Sequence, residues 1–179
     1  MKRFTALGAA AALAVLAGCA TAPTTPLPTV ASVDLARYAG AWYEVASLPN
    51  RFQKQCAADT QARYRQTGAD IEVVNRCRTA DGKVDDITGV AKVVEGSGNA
   101  KLRVSFFRPF YGDYWILALG GDADYGWVLV GESTRQFGWV LSRKPTIAPA
   151  DLEAALARAE ALGYARSAFK ATPQTQPLP

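Results

Sequence analysis

Three cysteines carry most of the reactive side-chain chemistry in this sequence: Cys19, Cys56 and Cys77. The chain of 179 residues contains no histidine. Ser-His-Asp and Cys-His catalysis, histidine-ligated zinc or copper, and histidine-bound haem all need an imidazole, so the sequence excludes these sites. We therefore expect no metal site and no cofactor.

Cys19 ends a segment of the kind that directs bacterial lipoproteins to a membrane. A basic start precedes an apolar run of alanines and leucines that is short for a transmembrane helix. The run ends in Leu16-Ala17-Gly18-Cys19, which resembles a lipobox, where the signal is cleaved before the cysteine and the cysteine is acylated. The alternative is an ordinary secretory signal with an incidental cysteine. We predict a signal peptide at 1–18, a lipidated Cys19 and, because Ala20 follows, an outer-membrane anchor with the domain facing the periplasm.

The overall charge gives no indication of a nucleic-acid partner. The formal net charge is +4, and two of the basic residues lie in the predicted signal peptide. No dense cluster of lysine and arginine occurs anywhere in the chain. We therefore predict that the protein does not bind nucleic acid.

Cys56 and Cys77 form an even pair, which in an exported chain is most simply a disulfide. Two strand-like segments, TQARYRQ and IEVVNRC, are separated by the short hairpin connection 67–70. That hairpin brings Cys77 back towards Cys56. On the loop-entropy model such a bridge stabilises the domain by roughly 3 kcal/mol.

The elements around these residues are short strands separated by turn residues, followed by one helix. About eight strand-like segments succeed one another between Ala41 and Arg143, with links short enough for antiparallel pairing. A helical pattern begins at Pro149 and ends at Gly163. This order predicts an all-β fold, an eight-stranded antiparallel up-and-down β-barrel with the C-terminal α-helix packed outside; an open β-sandwich is the alternative.

The two ends of the mature chain differ in composition from this domain. Residues 19–33 are rich in proline, threonine and alanine, which predicts a flexible tether. We place the folded domain at 34–170 and expect a loose tail at 171–179.

The segment Gly40-Ala41-Trp42-Tyr43-Glu44 resembles the GxW signature of the lipocalin family. Two further segments, SFFRPFYGDYWILAL and WVLSRKPTI, resemble bacterial lipocalins of the Blc type and apolipoprotein D. The resemblance runs from about Asp34 to Phe169. It implies that Gly40 and Trp42 lie at the floor of a closed barrel and that Arg143 stacks on the Trp42 ring.

The same resemblance implies a hollow upper interior that holds a fatty acid or a lysophospholipid. Six aromatic residues are the expected contacts, on inward strand faces or on the nearby loop: Tyr64, Phe106, Tyr114, Trp115, Phe110 and Tyr111. Among these residues Trp115 is the first choice as a ligand contact, because the matching position in apolipoprotein D-like proteins faces the ligand. A head group could also meet Arg76, although a solvated strand face is the simpler interpretation of that residue.

We interpret the chain as a membrane-anchored lipid carrier for storage, transport or membrane maintenance, and not as an enzyme. One alternative is a lipid isomerase or peroxidase that uses a free Cys56 thiol, which would need an electropositive setting to be reactive. Another is a structural, partner-binding lipoprotein whose barrel is filled by side chains. A homodimer is compatible with the resemblance.

Overall fold

The computed structural model describes residues 26–121, 125–176 and 178. Within them, the chain forms nine strands and two α-helices. The strands are β1 (Gly40–Ser47), β2 (Cys56–Thr67), β3 (Asp70–Thr79), β4 (Val84–Val93), β5 (Lys101–Phe107), β6 (Phe110–Gly120), β7 (Trp127–Gly131), β8 (Gly138–Ser142) and β9 (Lys170–Ala171). Helix α1 (Leu35–Tyr38) precedes β1, and helix α2 (Pro149–Ala161) follows β8.

Strands β1 to β8 form a closed antiparallel barrel. Consecutive strands pair from β2 to β8, and β1 pairs with both β8 and β2. The predicted eight-stranded barrel with an external C-terminal helix is therefore confirmed. The β1–β2, β3–β4, β5–β6 and β7–β8 connections lie at one end, which we call the open end; α1 and the remaining connections lie at the other, the closed end.

Apolar side chains alternate between the inside of the barrel and its outer face, as the two-residue period of a strand requires. In β7, Val128 and Val130 belong to the cluster inside the barrel. Trp127 and Leu129 belong to a second cluster, which includes Ala155 and other residues of α2. The barrel thus has an inner cluster and an outer cluster, and α2 covers the outer one. Within the part of the chain that the structure describes, no helix is long and apolar enough to cross a membrane.

The chain before α1 is packed more extensively than its composition predicted. The backbone N–H of Val30 donates to the Ile116 carbonyl at 3.0 Å, and that of Val33 donates to the Gly98 carbonyl at 2.8 Å. Both residues contact the inner cluster. The end of the segment 19–33 therefore belongs to the domain, because backbone hydrogen bonds and packed valine side chains order it.

The prediction of a loose tail at 171–179 is wrong for the described part of that segment. Strand β9 pairs with the upper part of β1, where β2 no longer pairs with it. The side-chain amide of Gln174 then bridges the two strands, donating to the Glu44 carbonyl at 2.8 Å and the Thr60 carbonyl at 2.9 Å. The tail fills the gap between β1 and β2 and satisfies backbone groups that would otherwise lack partners.

One buried carboxylate, that of Asp59, holds the tail in place. It accepts hydrogen bonds from Arg78 Nε at 2.7 Å, from the Thr175 N–H at 2.6 Å and from the Gln176 N–H at 2.9 Å. Burial by itself would raise the pKa of Asp59, but the hydrogen bonds from Arg78 and the tail lower that pKa below its ordinary value. Asp59 is therefore an ionised anchor between β2, β3 and the tail.

Replacement of Asp59 by alanine should destabilise the domain by about 3–5 kcal/mol, because it leaves Arg78 and two tail N–H groups without their buried acceptor. Urea unfolding of both proteins at neutral pH measures the difference. Arg65→Ala is the matched control, since Arg65 forms an exposed pair with Glu72 and its loss should cost less than about 1 kcal/mol. Equal effects of the two substitutions would contradict the anchoring role.

The lowered pKa of Asp59 also predicts a pH dependence. A carboxyl group whose pKa falls on folding stabilises the native state above its unfolded pKa, about 3.9, and that contribution is lost as the pH falls through the folded value. The difference in unfolding free energy between the wild type and Asp59→Asn should therefore be large near neutral pH. It should shrink progressively below about pH 4. A difference that stays constant across this range would show that the charge of Asp59 is unimportant.

Candidate functional site

The closed end of the barrel is sealed by Trp42 and the segment before it. Asp34 accepts hydrogen bonds from the Ala36 and Arg37 N–H groups and so caps the short helix α1. Gly40 then takes a φ of +96°, a backbone conformation that favours glycine, where the chain turns into β1. The Trp42 side chain is fully buried, and its Nε1 donates to the Tyr38 carbonyl at 2.8 Å.

Arg143 closes this floor from outside. Its guanidinium carbon lies 3.9 Å from the centre of the Trp42 ring. The same group donates to the carbonyls of Ala39 and Ala41, each at 3.0 Å, and to that of Arg37. The stacked pair implied by the family resemblance is thus present, and the guanidinium also ties the end of β8 to the start of β1. This arrangement links backbone segments at the two ends of the barrel chain, so its role is structural.

Three tyrosine hydroxyl groups meet above the floor. The Tyr64 hydroxyl donates to that of Tyr114 at 2.8 Å, and the Tyr38 and Tyr114 hydroxyls share a hydrogen bond of 2.7 Å. We call these three residues the tyrosine cluster. Burial raises the pKa of each of the three hydroxyls well above its ordinary value. The cluster is therefore uncharged at any ordinary pH, and it gives the lower interior a polar but neutral layer.

The interior wall towards the open end consists of partly buried apolar side chains. Val104, Phe106 and Trp139 all contact the inner cluster without being fully buried. Phe106 lies against Gly89, where an added Cβ would come within 2.6 Å of the ring. Gly89 therefore leaves the space in which the Phe106 ring sits.

Trp115 is on the other side of the sheet, contrary to prediction. Its ring packs with the outer cluster, and the ammonium group of Lys101 lies 4.1 Å from its centre. Tyr114 contacts the inner cluster. Consecutive residues of a strand point to opposite faces, so Tyr114 and Trp115 cannot both line the interior. The tryptophan on the inner wall towards the open end is Trp139, which sequence reasoning missed.

Three other predicted contacts lie away from the inner wall. Phe110 is exposed at the start of β6, and Tyr111 lies beneath the Arg103 guanidinium, 5.5 Å from the ring centre. Arg76 lies on β3 opposite Gln61, in a partly buried position. The structure thus brings Tyr64, Phe106 and Tyr114 together inside the barrel, as predicted, and leaves Phe110 at its rim.

Glu44 is a second residue whose role the sequence did not reveal. It follows Trp42 and Tyr43 in the GxW segment, and its side chain is buried. Its carboxylate accepts hydrogen bonds from Ser47 Oγ at 2.8 Å, Gln53 Nε2 at 2.6 Å and Thr172 Oγ1 at 2.5 Å. Gln53 in turn accepts a hydrogen bond from the indole N–H of Trp139 at 3.0 Å. The network fixes the β1–β2 connection and the tail relative to the inner wall.

Cys56 and Cys77 form a disulfide with a Cα–Cα distance of 5.5 Å, which confirms the predicted pair. The bridge joins the start of β2 to the end of β3. Thiolate chemistry at Cys56 needs a free thiol, so the bonded form has no nucleophile for the isomerase or peroxidase alternative. Cys19, the predicted lipidation site, lies outside the described residues.

A barrel with this strand order, a tryptophan floor stacked under an arginine and a helix on the outer face matches one family. The model of the Lipocalin-like domain matches residues 33–174. The chain belongs to the lipocalin family. This also accounts for the position of GxW at the start of the first strand.

Three curated relatives extend the comparison. The chain is 35% identical to Temperature-induced lipocalin-1 of Arabidopsis thaliana over 162 residues, 86% of each chain. It is 35% identical to Outer membrane lipoprotein Blc of Escherichia coli K12 over 170 residues, 93% of this chain and 95% of that one. It is 33% identical to Apolipoprotein D of Mus musculus over 131 residues, 68% and 67% of the two chains. The resemblance to Blc-type lipocalins and apolipoprotein D is therefore confirmed.

Among solved structures, insecticyanin from the tobacco hornworm Manduca sexta superposes with a TM-score of 0.69 at 18% identity, covering 85% of this chain and 86% of that one. At this level of identity the likeness establishes the fold alone. It supports the closed lipocalin barrel that the strand pairing describes.

Replacement of Arg143 by lysine should destabilise the domain by about 2–4 kcal/mol, although the charge is kept. The ammonium group cannot stack on Trp42 and donate to three separate carbonyls at once. Thermal and urea unfolding measure the loss, with the exposed neighbour Lys144→Ala as control. A loss no greater than that of Lys144→Ala would show that the floor does not need the guanidinium fork.

Proposed function

We propose that this lipocalin binds a fatty acid or a lysophospholipid in its barrel and is anchored to the outer membrane through a lipidated Cys19. The supporting observation is the inner wall of partly buried apolar side chains, open at one end and sealed at the other by Trp42 and Arg143. Such a cup removes an acyl chain from water without requiring a reaction. The proposed role is storage, transport or maintenance of membrane lipids.

The cargo would lie between the tyrosine cluster and the open end. Phe106 and Tyr114 form its wall, Tyr64 supports Tyr114 from below, and Phe110 stands at the rim. Burial of an acyl chain contributes at most about 0.8 kcal/mol per methylene group, and ordering of the chain offsets part of this. Because the tyrosine cluster is neutral, a charged head group has no partner there, and we place it at the open end.

The proposed location rests on the sequence of the first 20 residues and on the relatives. The Blc relative is named an outer membrane lipoprotein, and the chain matches it along almost its whole length. An anchor at Cys19 would hold the barrel beside a source of lipid. Signal cleavage before Cys19, lipidation and a periplasmic orientation are parts of this proposal, and so is the absence of enzymatic activity.

The deciding experiment is a titration of the delipidated chain from residue 19, with Cys19→Ser, against palmitate and a lysophospholipid by isothermal calorimetry. We expect saturable binding with a dissociation constant near micromolar, about −8 kcal/mol. Phe106→Ala should weaken it roughly tenfold by removing apolar contact with the cargo.

Trp115→Ala is the matched control, because it removes an aromatic ring from the outer face of the same barrel; its affinity should stay within about twofold of the wild type. Thermal unfolding verifies that both variants are folded. No binding by the folded wild type would favour the filled-barrel, partner-binding alternative. Equal weakening by both substitutions would contradict a cargo site on the inner wall.

A further inference from the structure

The large apolar side chains that the described chain exposes all lie near the open end. Phe52 is 55% exposed in the β1–β2 connection, and Val84 is 48% exposed at the start of β4. Phe107 and Phe110, which flank the β5–β6 turn, are 71% and 77% exposed. Isolated exposed apolar residues are ordinary, but these four all lie at one end of the barrel, which points to an interaction surface there.

Basic residues accompany these aromatic side chains. The β1–β2 connection contains Arg51 and Lys54, and the β5–β6 turn contains Arg108; neither segment contains an acidic residue. The Arg51 guanidinium lies 5.1 Å from the centre of the Phe52 ring. We call these two segments, residues 48–55 and 107–111, the aromatic-basic rim.

Acidic residues also lie at the open end, outside these two segments, and three of them have a local partner. Asp81 pairs with Lys83 in the β3–β4 connection. Asp85 accepts a hydrogen bond from Gln55, and Asp113 accepts one from Ser133. The rim is thus an apolar and cationic surface bordered by partly compensated acidic residues.

We propose that the aromatic-basic rim docks the open end of the barrel on a phospholipid bilayer that carries anionic lipids. Phenylalanine side chains at the tips of short connections enter the boundary between head groups and acyl chains, and arginines beside them bind lipid phosphates. A second copy of the chain fits this surface less well. A two-fold contact through the rim would bring its basic residues against the same residues of the other copy.

Docking in this orientation turns the mouth of the barrel to the bilayer. A lipid could then pass between membrane and barrel without exposure of its acyl chain to water. The inference concerns the surface and not the cargo, so it goes beyond the proposed function and holds even if the barrel carries no lipid.

The test is flotation of the chain from residue 19, with Cys19→Ser, on vesicles of phosphatidylcholine alone and of phosphatidylcholine mixed with phosphatidylglycerol. We expect stronger binding to the anionic vesicles, weakened by salt. Phe52→Ser/Phe107→Ser should lower the affinity for both vesicle types by about tenfold or more. Arg51→Gln/Arg108→Gln should lower the affinity for anionic vesicles and reduce its salt dependence, with little effect on neutral ones.

Arg63→Gln/Lys144→Gln is the charge-matched control, because both residues are exposed and lie away from the open end. It should bind vesicles as the wild type does. The proposal is overturned if the wild type does not float with vesicles, if the control loses as much binding as the rim variants, or if the Phe52→Ser/Phe107→Ser variant binds normally.

Light scattering after size-exclusion chromatography tests whether a second copy of the chain, and not a bilayer, occupies the rim. A dimer that becomes a monomer in Phe52→Ser/Phe107→Ser would show that the rim joins two copies, and it would overturn the membrane proposal. Palmitate binding without vesicles is measured separately. Its failure alongside normal vesicle binding would remove the proposed function and leave the docking surface standing.

Discussion

The Arg143 guanidinium is the group on which the rest of the barrel depends. It stacks on the Trp42 ring and donates to three backbone carbonyls just before and within the start of β1, about a hundred residues away in the chain. A closed sheet requires its first and last strands to be held together, and one planar donor with several N–H groups does this at the closed end. With the floor sealed, the interior can be open at one end only.

The gap on the other side of β1, between β1 and β2 near the open end, is closed by different means. There β2 no longer pairs with β1, and the tail enters the gap as a ninth strand, held by Gln174 and by the buried carboxylate of Asp59. The first strand is thus held to the last by a cation at the closed end, and to the second by an inserted strand near the open end. Glu44 links this second closure to the mouth through Gln53.

The two ends of the barrel therefore differ in both chemistry and role. The closed end is fully packed and its tyrosine cluster is neutral, so it sets the depth of the interior without attracting a charge. The open end exposes phenylalanine and arginine side chains on short connections. Aromatic and cationic side chains thus border the open end, where Cys56 is held in a disulfide.

Much of this architecture follows from local pattern. The two-residue alternation predicts the strands, the helical spacing after Pro149 predicts α2, and the short hairpin at 67–70 predicts the Cys56–Cys77 bridge. The floor pair and the fold follow from the resemblance carried by Gly40-Ala41-Trp42. These features depend on residues near one another in the chain, or on a motif whose partners are already known.

What the sequence could not decide is which side of each strand faces inward and how the ends of the chain are used. Alternation states that Tyr114 and Trp115 face opposite ways, but not which of them lies inside. That choice depends on the register of β6 against β5 and β7, including the irregularity between Ile116 and Ala118. The sequence of the tail likewise predicts no structure, because the order of this segment comes from backbone pairing with distant strands and from Asp59. The alternation of side chains along a strand is a local property, whereas the inner and outer faces of that strand are defined only once the barrel has closed.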